Sequence, residues 1–532
     1  MADTTSGATA RAGLRVWCLA TTNLRDGPEE QERGTGGEDE AEDEDGGEGE
    51  MGDEDAEDQE LDAGDVDSES PLSPSASNSD SDSDSDSDSS SDADSSEENE
   101  SPSQDGPLLL TSAIHDAQLS ADGSTIFTAD YTRTFSVYPV YPVYPVDKSD
   151  RGPRLLEPYG QAKSPNPIWA FASNPFFNVQ DASSTHVLIS RRDSYITLHN
   201  ALWDTSKSYE DGSLTETKRP VDLRHPLGSY KLVNKNTEAV QAPMSLTYSH
   251  HGTHFFAGTS SSIATFDLQR FDGPITNMAT IPSTQSKLKG GGRGFKGQIT
   301  ALELSPPCSS ASSSGLLAAG SLTRYIGLYD ARSGEETTHF ALPGTFNGRK
   351  VYNEALKDVN GDGISHLKWS PCGTYLYAAE RKSDILLIYD ARNVSLALGH
   401  CAGRKALSKQ KMGFDVWCPG AASAAAVATD TDTMSHELWA GGTDGCVRVW
   451  RDPWAREGAV PPDEVLRVRD EAVPVTSTLV HPSGGVAVAA CGVLGVLEYD
   501  DDEGEGEGEG QGVGMPRVRE WGCLEVFGFG GL

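Results

Sequence analysis

Basic side chains recur in the short polar segments that separate the apolar runs of this sequence. Thirteen of them could act together: Arg191, Arg192, Lys287, Lys289, Arg293, Lys296, Arg324, Arg349, Lys350, Arg381, Lys382, Arg404 and Lys405. Guanidinium and ammonium groups neutralise phosphates and carboxylates, and the planar guanidinium can hold either group with two hydrogen bonds. These residue types therefore predict an anionic partner. RNA is the first interpretation, another acidic partner the second, and solvated turn residues without a role the third.

The sequence contains partial matches to enzyme and metal-site motifs, but each lacks a residue or a neighbouring element that the motif requires. Gly292-x-Gly294-x-x-Gly297 matches a dinucleotide fingerprint, but no strand leads into it and no helix follows. The stretch 358–363 begins like a calcium loop, yet its twelfth position is Trp369, where a bidentate Glu is required. The eight cysteines include no Cys-x-x-Cys pair. We predict no catalytic residues, no metal, no cofactor and a protein that is not an enzyme.

The basic residues lie between the strands of a unit that repeats along the chain. Its clearest copy has a strand at 364–369, a Ser-Pro-Cys-Gly turn, a strand at 374–379 and a strand at 385–390 that ends in Tyr-Asp. Seven copies are recognisable between residues 117 and 499, each with room for a fourth strand. Such a sheet buries both of its faces only between two others, so the repeat predicts an all-β, seven-bladed propeller.

This fold would gather the basic residues. The turn between the second and third strands of a blade opens on the same propeller face as the connection to the next blade. The residues at 191–192, 324 and 381–382 fall in such turns, and the remaining basic residues fall in such connections. We therefore expect all thirteen side chains to converge on one face, from five neighbouring blades.

The formal net charge of −40 is concentrated outside this body. Residues 1–106 hold 35 acidic and four basic side chains, and residues 500–509 add seven acidic ones. Like charges repel, and little apolar surface is present in residues 34–106 to offset chain entropy. We predict a disordered acidic tail over 1–106, which serves as a solubilising segment or as a phosphorylated interaction segment. The predicted propeller covers 107–532, with 520–527 as a late closing strand and with inserts at 139–165, 204–225, 270–292, 421–436 and 500–515.

Hydropathy places the chain away from membranes. No run of about 18 apolar residues occurs, so no membrane-spanning helix is predicted. The apolar run at 16–20 is too short for the core of a signal peptide, so we expect an intracellular protein. We also expect a monomeric propeller and no membrane partner.

Several strand ends and turns resemble those of WD repeats, among them Tyr329-Asp330, Tyr389-Asp390 and Trp450, although Trp450 is followed by Arg451. More specifically, four stretches resemble the WD-repeat telomerase Cajal-body protein family, and the likeness runs in order over about residues 108–500. The four stretches are 229–249, 297–306, 317–329 and 362–384.

The resemblance implies an RNA-binding WD-repeat scaffold without catalytic activity. Its partners would be small nuclear RNA or RNP proteins: H/ACA-type guide RNA, telomerase RNA or the spliceosomal small nuclear RNPs. The turns with Arg191, Arg324 and Arg381-Lys382 fall on basic turn positions of the family. It also implies a nuclear location, with Cajal bodies as one destination. Cytoplasmic synthesis and chaperonin-assisted folding are expected, because a long non-local β-ring folds slowly. The alternative function is a protein–protein interaction scaffold with no direct RNA contact.

Overall fold

The described part of the chain is almost entirely β-structure. The structure is a computed structural model that describes residues 15–23, 112–140, 153–203, 223, 225–234, 237–283, 290, 294–307, 315–351, 356, 359, 361–419, 434–469, 472–496 and 518–530. Apart from one two-stranded hairpin, its strands form seven sheets that succeed one another along the chain, and in each the first strand pairs with the second and the second with the third. The prediction of an all-β, seven-bladed propeller is confirmed. No helix within these residues is long and apolar enough to cross a membrane.

Blades 1 to 4 are four-stranded antiparallel meanders. From the inner to the outer strand, blade 1 has Ile114–Leu119, Thr125–Asp130, Thr134–Pro139 and Gly160–Lys163. Blade 2 has Ile168–Ser173, His186–Arg191, Ile196–Asn200 and Gly228–Tyr230. Blade 3 has Ser245–Tyr248, His254–Thr259, Ser262–Asp267 and Thr276–Ala279. Blade 4 has Ile299–Leu304, Leu316–Ser321, Tyr325–Asp330 and Glu336–Ala341.

Blades 5 to 7 include additions to this plan. Blade 5 has Ile364–Trp369, Tyr375–Glu380, Leu386–Asp390 and Gly399–Cys401, with Gly458–Val460 added in parallel outside. Blade 6 has Phe414–Trp417, Glu437–Gly441, Cys446–Arg451 and Glu464–Arg467, and a short 3-10 turn covers Pro453–Ala455. Blade 7 has Val475–Val480, Val486–Val496, Val518–Gly530 and, from the N-terminus, Arg15–Thr21, with Arg154–Leu155 outside it. A hairpin of Thr345–Phe346 and Arg349–Lys350 stands between blades 4 and 5.

The blades pack face to face around a central channel. The second strand of blade 5, Tyr375–Glu380, is buried at every position, because both of its faces meet neighbouring blades. Hydroxyl groups of inner segments join successive blades: Ser245 Oγ donates to the Ile299 carbonyl at 3.0 Å, and Thr476 Oγ1 donates to the Ile114 carbonyl at 2.8 Å. The second bond joins the last blade to the first and completes the ring.

The ring is closed by the N-terminus, and this corrects the predicted domain boundary. Arg15–Thr21 pairs antiparallel with Val518–Gly530, and Leu19 and Ala20 are buried in the core shared by blades 7 and 1. The propeller therefore includes Arg15–Thr21, which the predicted boundary at 107 left out. The predicted late strand at 520–527 is confirmed as part of blade 7. The rest of the predicted tail lies outside the described residues.

Two of the predicted inserts contain strands and are corrected in the same way. The insert 139–165 includes the outer strand of blade 1, Gly160–Lys163, and the added strand Arg154–Leu155 of blade 7. The insert 270–292 includes Thr276–Ala279, the outer strand of blade 3. The inserts 204–225, 421–436 and 500–515 lie largely or wholly outside the described residues.

Candidate nucleic-acid interface

Hydrogen bonds tie the predicted basic turns to the connections between blades. Arg192 N donates to the Pro167 carbonyl at 2.9 Å, and Arg381 N donates to the Gly363 carbonyl at 3.0 Å. Lys382 N donates to the Ser408 carbonyl at 3.0 Å, and Thr443 N donates to the Lys405 carbonyl at 2.7 Å. These bonds place the second-to-third turns and the interblade connections on one side of the ring, which we call the upper face.

The upper face presents five of the ten described predicted residues to solvent. Those with exposed side chains are Arg192, Arg349, Lys350, Lys382 and Lys405. Arg191, Lys296 and Arg381 are half-buried. Arg381 Nη1 donates to the Lys409 carbonyl at 2.8 Å, which fixes its guanidinium across the connection between blades 5 and 6. Lys287, Lys289 and Arg293 lie outside the described residues.

Arg324 has a structural role, because its side chain is buried and bonded to Glu380. This corrects the prediction that it contacts RNA. Only 3% of it is exposed. Its Nε lies 2.6 Å from Glu380 Oε1 and its Nη2 lies 2.9 Å from Glu380 Oε2, so two parallel hydrogen bonds join blade 4 to blade 5. A guanidinium held in this way is not available to a phosphate on the surface.

Arg404 is corrected for the same reason. It is wholly buried, and its Nη2 donates to the carbonyls of Met412 and Gly413 at 2.8 and 2.9 Å. Burial lowers the pKa of its guanidinium to about 10. The side chain therefore ties the connection between blades 5 and 6 to the start of the blade 6 inner strand and does not reach the surface.

Carboxylates of the upper face neutralise part of the exposed charge. Asp362 lies between Lys382 at 2.7 Å and Lys350 at 3.5 Å, and the hydrogen bond from Lys382 lowers the pKa of the Asp362 carboxyl. Asp444 lies 2.7 Å from Arg448 and 3.1 Å from Lys405, and these bases hold its pKa at about 2. The exposed lysines around blades 5 and 6 are thus partly compensated.

The structure adds three residues that the sequence pattern did not identify. Tyr131, Arg133 and Lys163 line a cleft of about 1000 Å³ together with Arg191. Tyr131 and Arg133 form the second-to-third turn of blade 1, and Lys163 ends the outer strand of that blade. The turn rule that selected Arg191 also applies to blade 1, so it was the signal that could have identified Arg133. Lys163 was not identified because residues 139–165 were interpreted as an insert and not as part of a blade.

The central channel is lined by the inner strands and contains compensated charges. Lys411 Nζ lies 2.7 Å from Asp116 Oδ2, and Lys368 Nζ lies 3.6 Å from Glu303 Oε1. These pairs connect blade 1 with the connection into blade 6, and blade 4 with blade 5. No group of three or more His, Cys, Asp or Glu in the described ranges could hold a metal ion.

No protein-family model matches the chain, but curated relatives do. Guanine nucleotide-binding protein negative regulator 1 of Schizosaccharomyces pombe is 23% identical over 345 residues, which are 64% of this chain and 70% of that protein. Telomerase Cajal body protein 1 of Bos taurus is 26% identical over 274 residues, 51% of this chain and 41% of that protein. The Homo sapiens protein of the same name is 25% identical over 272 residues, 51% of this chain and 40% of that protein. The matched part therefore spans less than half of the mammalian relatives, and these similarities support the resemblance that the motifs predict.

Proposed function

We propose that the chain is a non-catalytic WD-repeat scaffold that binds small nuclear RNA through its upper face. Its role would be the localisation or biogenesis of small nuclear RNPs, with H/ACA-type guide RNA, telomerase RNA and spliceosomal RNAs as the RNA classes. A nuclear location, small nuclear RNP proteins as further partners, a monomeric state and chaperonin-assisted folding belong to the same proposal. The similarity to proteins named telomerase Cajal body protein 1 supports this proposal.

The observation that carries the proposal is the concentration of exposed bases on one rigid face. Arg192, Arg349 and Lys382 reach solvent from blade 2, the hairpin before blade 5, and blade 5 itself. Most RNA affinity comes from neutralising phosphates, and cations held at fixed positions along the path of the strand lose less conformational entropy on binding. A propeller supplies such positions because each turn is hydrogen-bonded to the neighbouring connection.

Charge reversal on the two faces tests this assignment. We expect the variant Arg192→Glu, Arg349→Glu, Lys350→Glu to bind an in vitro transcribed H/ACA-type guide RNA at least about tenfold more weakly at 100 mM salt, because each reversal removes a phosphate contact. Fluorescence anisotropy measures the affinity. The three substituted side chains are exposed, so the melting temperature should stay unchanged.

The matched control reverses three exposed bases in turns on the opposite face. Arg270, Arg332 and Arg392 lie between the third and outer strands of blades 3, 4 and 5. The variant Arg270→Glu, Arg332→Glu, Arg392→Glu carries the same net charge and should keep most of the affinity. Equal losses in both variants would mean that only total charge matters and would refute the upper face as the RNA site.

One observation favours the second candidate function, a protein–protein scaffold without RNA contact. Phe346 and Leu407 are 75% and 70% exposed beside the bases of the upper face. Exposed aromatic and apolar side chains next to Arg and Lys are typical of protein interfaces. Crosslinking and sequencing of RNA from cells separates the two functions: enrichment no greater than for an unrelated acidic protein would favour the protein scaffold.

A further inference from the structure

The cleft between blades 1 and 2 differs from the rest of the upper face in its charge balance. Arg133 and Lys163 are exposed on its wall, and Arg191 is half-buried in it. None of the three forms an ion pair with a carboxylate among the described residues, whereas Lys350, Lys382 and Lys405 each do. The cleft therefore groups three bases that have no carboxylate partner among the described residues, unlike these three lysines of blades 5 and 6 and the hairpin before blade 5.

Backbone carbonyls hold the two guanidinium groups of this cleft in place. Arg133 Nη1 donates to the Pro165 carbonyl at 2.7 Å, and this bond fixes the guanidinium across the connection from blade 1 to blade 2. Arg191 Nη1 is 3.4 Å from the Leu223 carbonyl, and its Nε is buried without a hydrogen-bond partner among the described residues.

An aromatic ring lies on the channel side of the same cleft. Tyr131 is 37% exposed, and its ring packs edge-on against His115 with 5.2 Å between centroids, which restricts its orientation. Tyr131 N donates to the Ala113 carbonyl at 3.1 Å, which holds the turn against the segment that leads into the inner strand of blade 1. The ring thus lies between the three bases of the cleft and the inner strand of blade 1.

We infer that this cleft binds a single-stranded segment of RNA. Arg133, Lys163 and Arg191 contact consecutive phosphates, and an unpaired base stacks on Tyr131. Aromatic rings interleaved with cations are the usual means of holding single strands, because every unstacked base offers a π-face, whereas a duplex offers none at its sides. The inference rests on the proposed RNA-binding function. It adds that the binding site is the cleft between blades 1 and 2 and that the bound RNA is single-stranded.

The test compares a twelve-nucleotide oligouridine with a twelve-base-pair RNA duplex as fluorescent probes for the full chain. Wild-type protein should bind oligouridine more tightly than the duplex. Arg133→Glu, Lys163→Glu should weaken oligouridine binding at least about tenfold and lower the slope of log affinity against log salt by about 1.4, as expected for two lost phosphates. Tyr131→Leu should weaken it at least about fivefold without changing that slope, and Tyr131→Phe should restore it.

The controls separate this inference from the broader proposal. Arg270→Glu, Arg332→Glu on the opposite face should leave oligouridine binding within about twofold, and melting temperatures verify that every variant folds. If the cleft variant binds oligouridine like wild type while Arg192→Glu, Arg349→Glu, Lys350→Glu loses RNA, the cleft inference is wrong and the proposed function stands. If wild-type protein binds neither probe nor the guide RNA, both are wrong. Equal affinity for duplex and oligouridine, or equal losses in Tyr131→Leu and Tyr131→Phe, also overturns the stacking assignment.

Discussion

The guanidinium of Arg324 and the carboxylate of Glu380 form a buried ion pair that joins blades 4 and 5, with only 4% and 2% of their side chains exposed. Removing one partner leaves the other charged and without compensation in the interior. We expect Arg324→Met to lower the free energy of unfolding by about 3–5 kcal/mol, as measured by urea denaturation. The double variant Arg324→Met, Glu380→Leu should regain most of this loss.

The exposed Arg349 offers the comparison for this prediction. Arg349→Met removes the same kind of side chain from the surface and should change stability by no more than about 0.5 kcal/mol. If Arg324→Met were as mild as Arg349→Met, the pair would not hold the two blades together. RNA affinity should follow the opposite order, with the larger loss in Arg349→Met.

The same contrast shows what sequence could and could not predict about single residues. The turn rule located Arg192, Arg324 and Lys382 on the correct side of the ring, because turn position follows from strand order alone. It could not tell that Arg324 points inward, since its partner Glu380 is 56 positions away in the next blade. Arg404 was misplaced for a similar reason, because its acceptors are backbone carbonyls that have no sequence signature.

At the scale of elements, the ring depends on a strand from the far end of the chain. Thr22 Oγ1 accepts a hydrogen bond from Leu524 N at 2.9 Å across 502 positions of sequence, and Leu19 is buried in the core shared by blades 7 and 1. We expect deletion of residues 1–23 to lower the melting temperature by several degrees and to expose the edge of Val518–Gly530, because an open edge pairs readily with other chains. Thermal unfolding and sedimentation velocity measure the two effects.

A peptide covering residues 13–23 should restore part of the melting temperature when added in excess, since it can bind the vacated edge. An internal deletion of residues 30–106 that keeps the strand is the matched control and should leave melting unchanged. If the control were as destabilised as the deletion of 1–23, the closing strand would not explain the effect.

Most blades were predictable because each is built from contiguous sequence with its own turn. In blade 5 the predicted strands 364–369, 374–379 and 385–390 match the observed ones within one residue at each end. The closing strand was missed because it is a seven-residue segment followed by a long acidic stretch, with no neighbouring turn to mark it. The outer strands Gly160–Lys163 and Thr276–Ala279 were missed because they are short and partly exposed, so hydrophobic alternation is weak there.

At the scale of the whole molecule, two opposing charge distributions act on any RNA. Residues 30–106 hold 32 acidic side chains and one basic one, whereas the described upper face presents exposed bases from several blades. A polyanion approaching the chain meets the long-range repulsion of the first and the short-range attraction of the second. Salt screens both interactions, but repulsion at a distance is lost first, because the Debye length is only about 10 Å at 0.1 M salt.

We therefore expect an internal deletion of residues 30–106 to tighten guide RNA binding several-fold at 50 mM salt, with the difference shrinking toward zero at 500 mM. Anisotropy titrations across that salt range measure it. A chain in which 30–106 is replaced by an uncharged Gly/Ser linker of equal length should behave like the deletion, which separates charge from chain length. Unchanged affinity at 50 mM salt in both variants would mean that the acidic residues do not influence RNA binding electrostatically. A large fraction of the net charge of −40 would then need a different role.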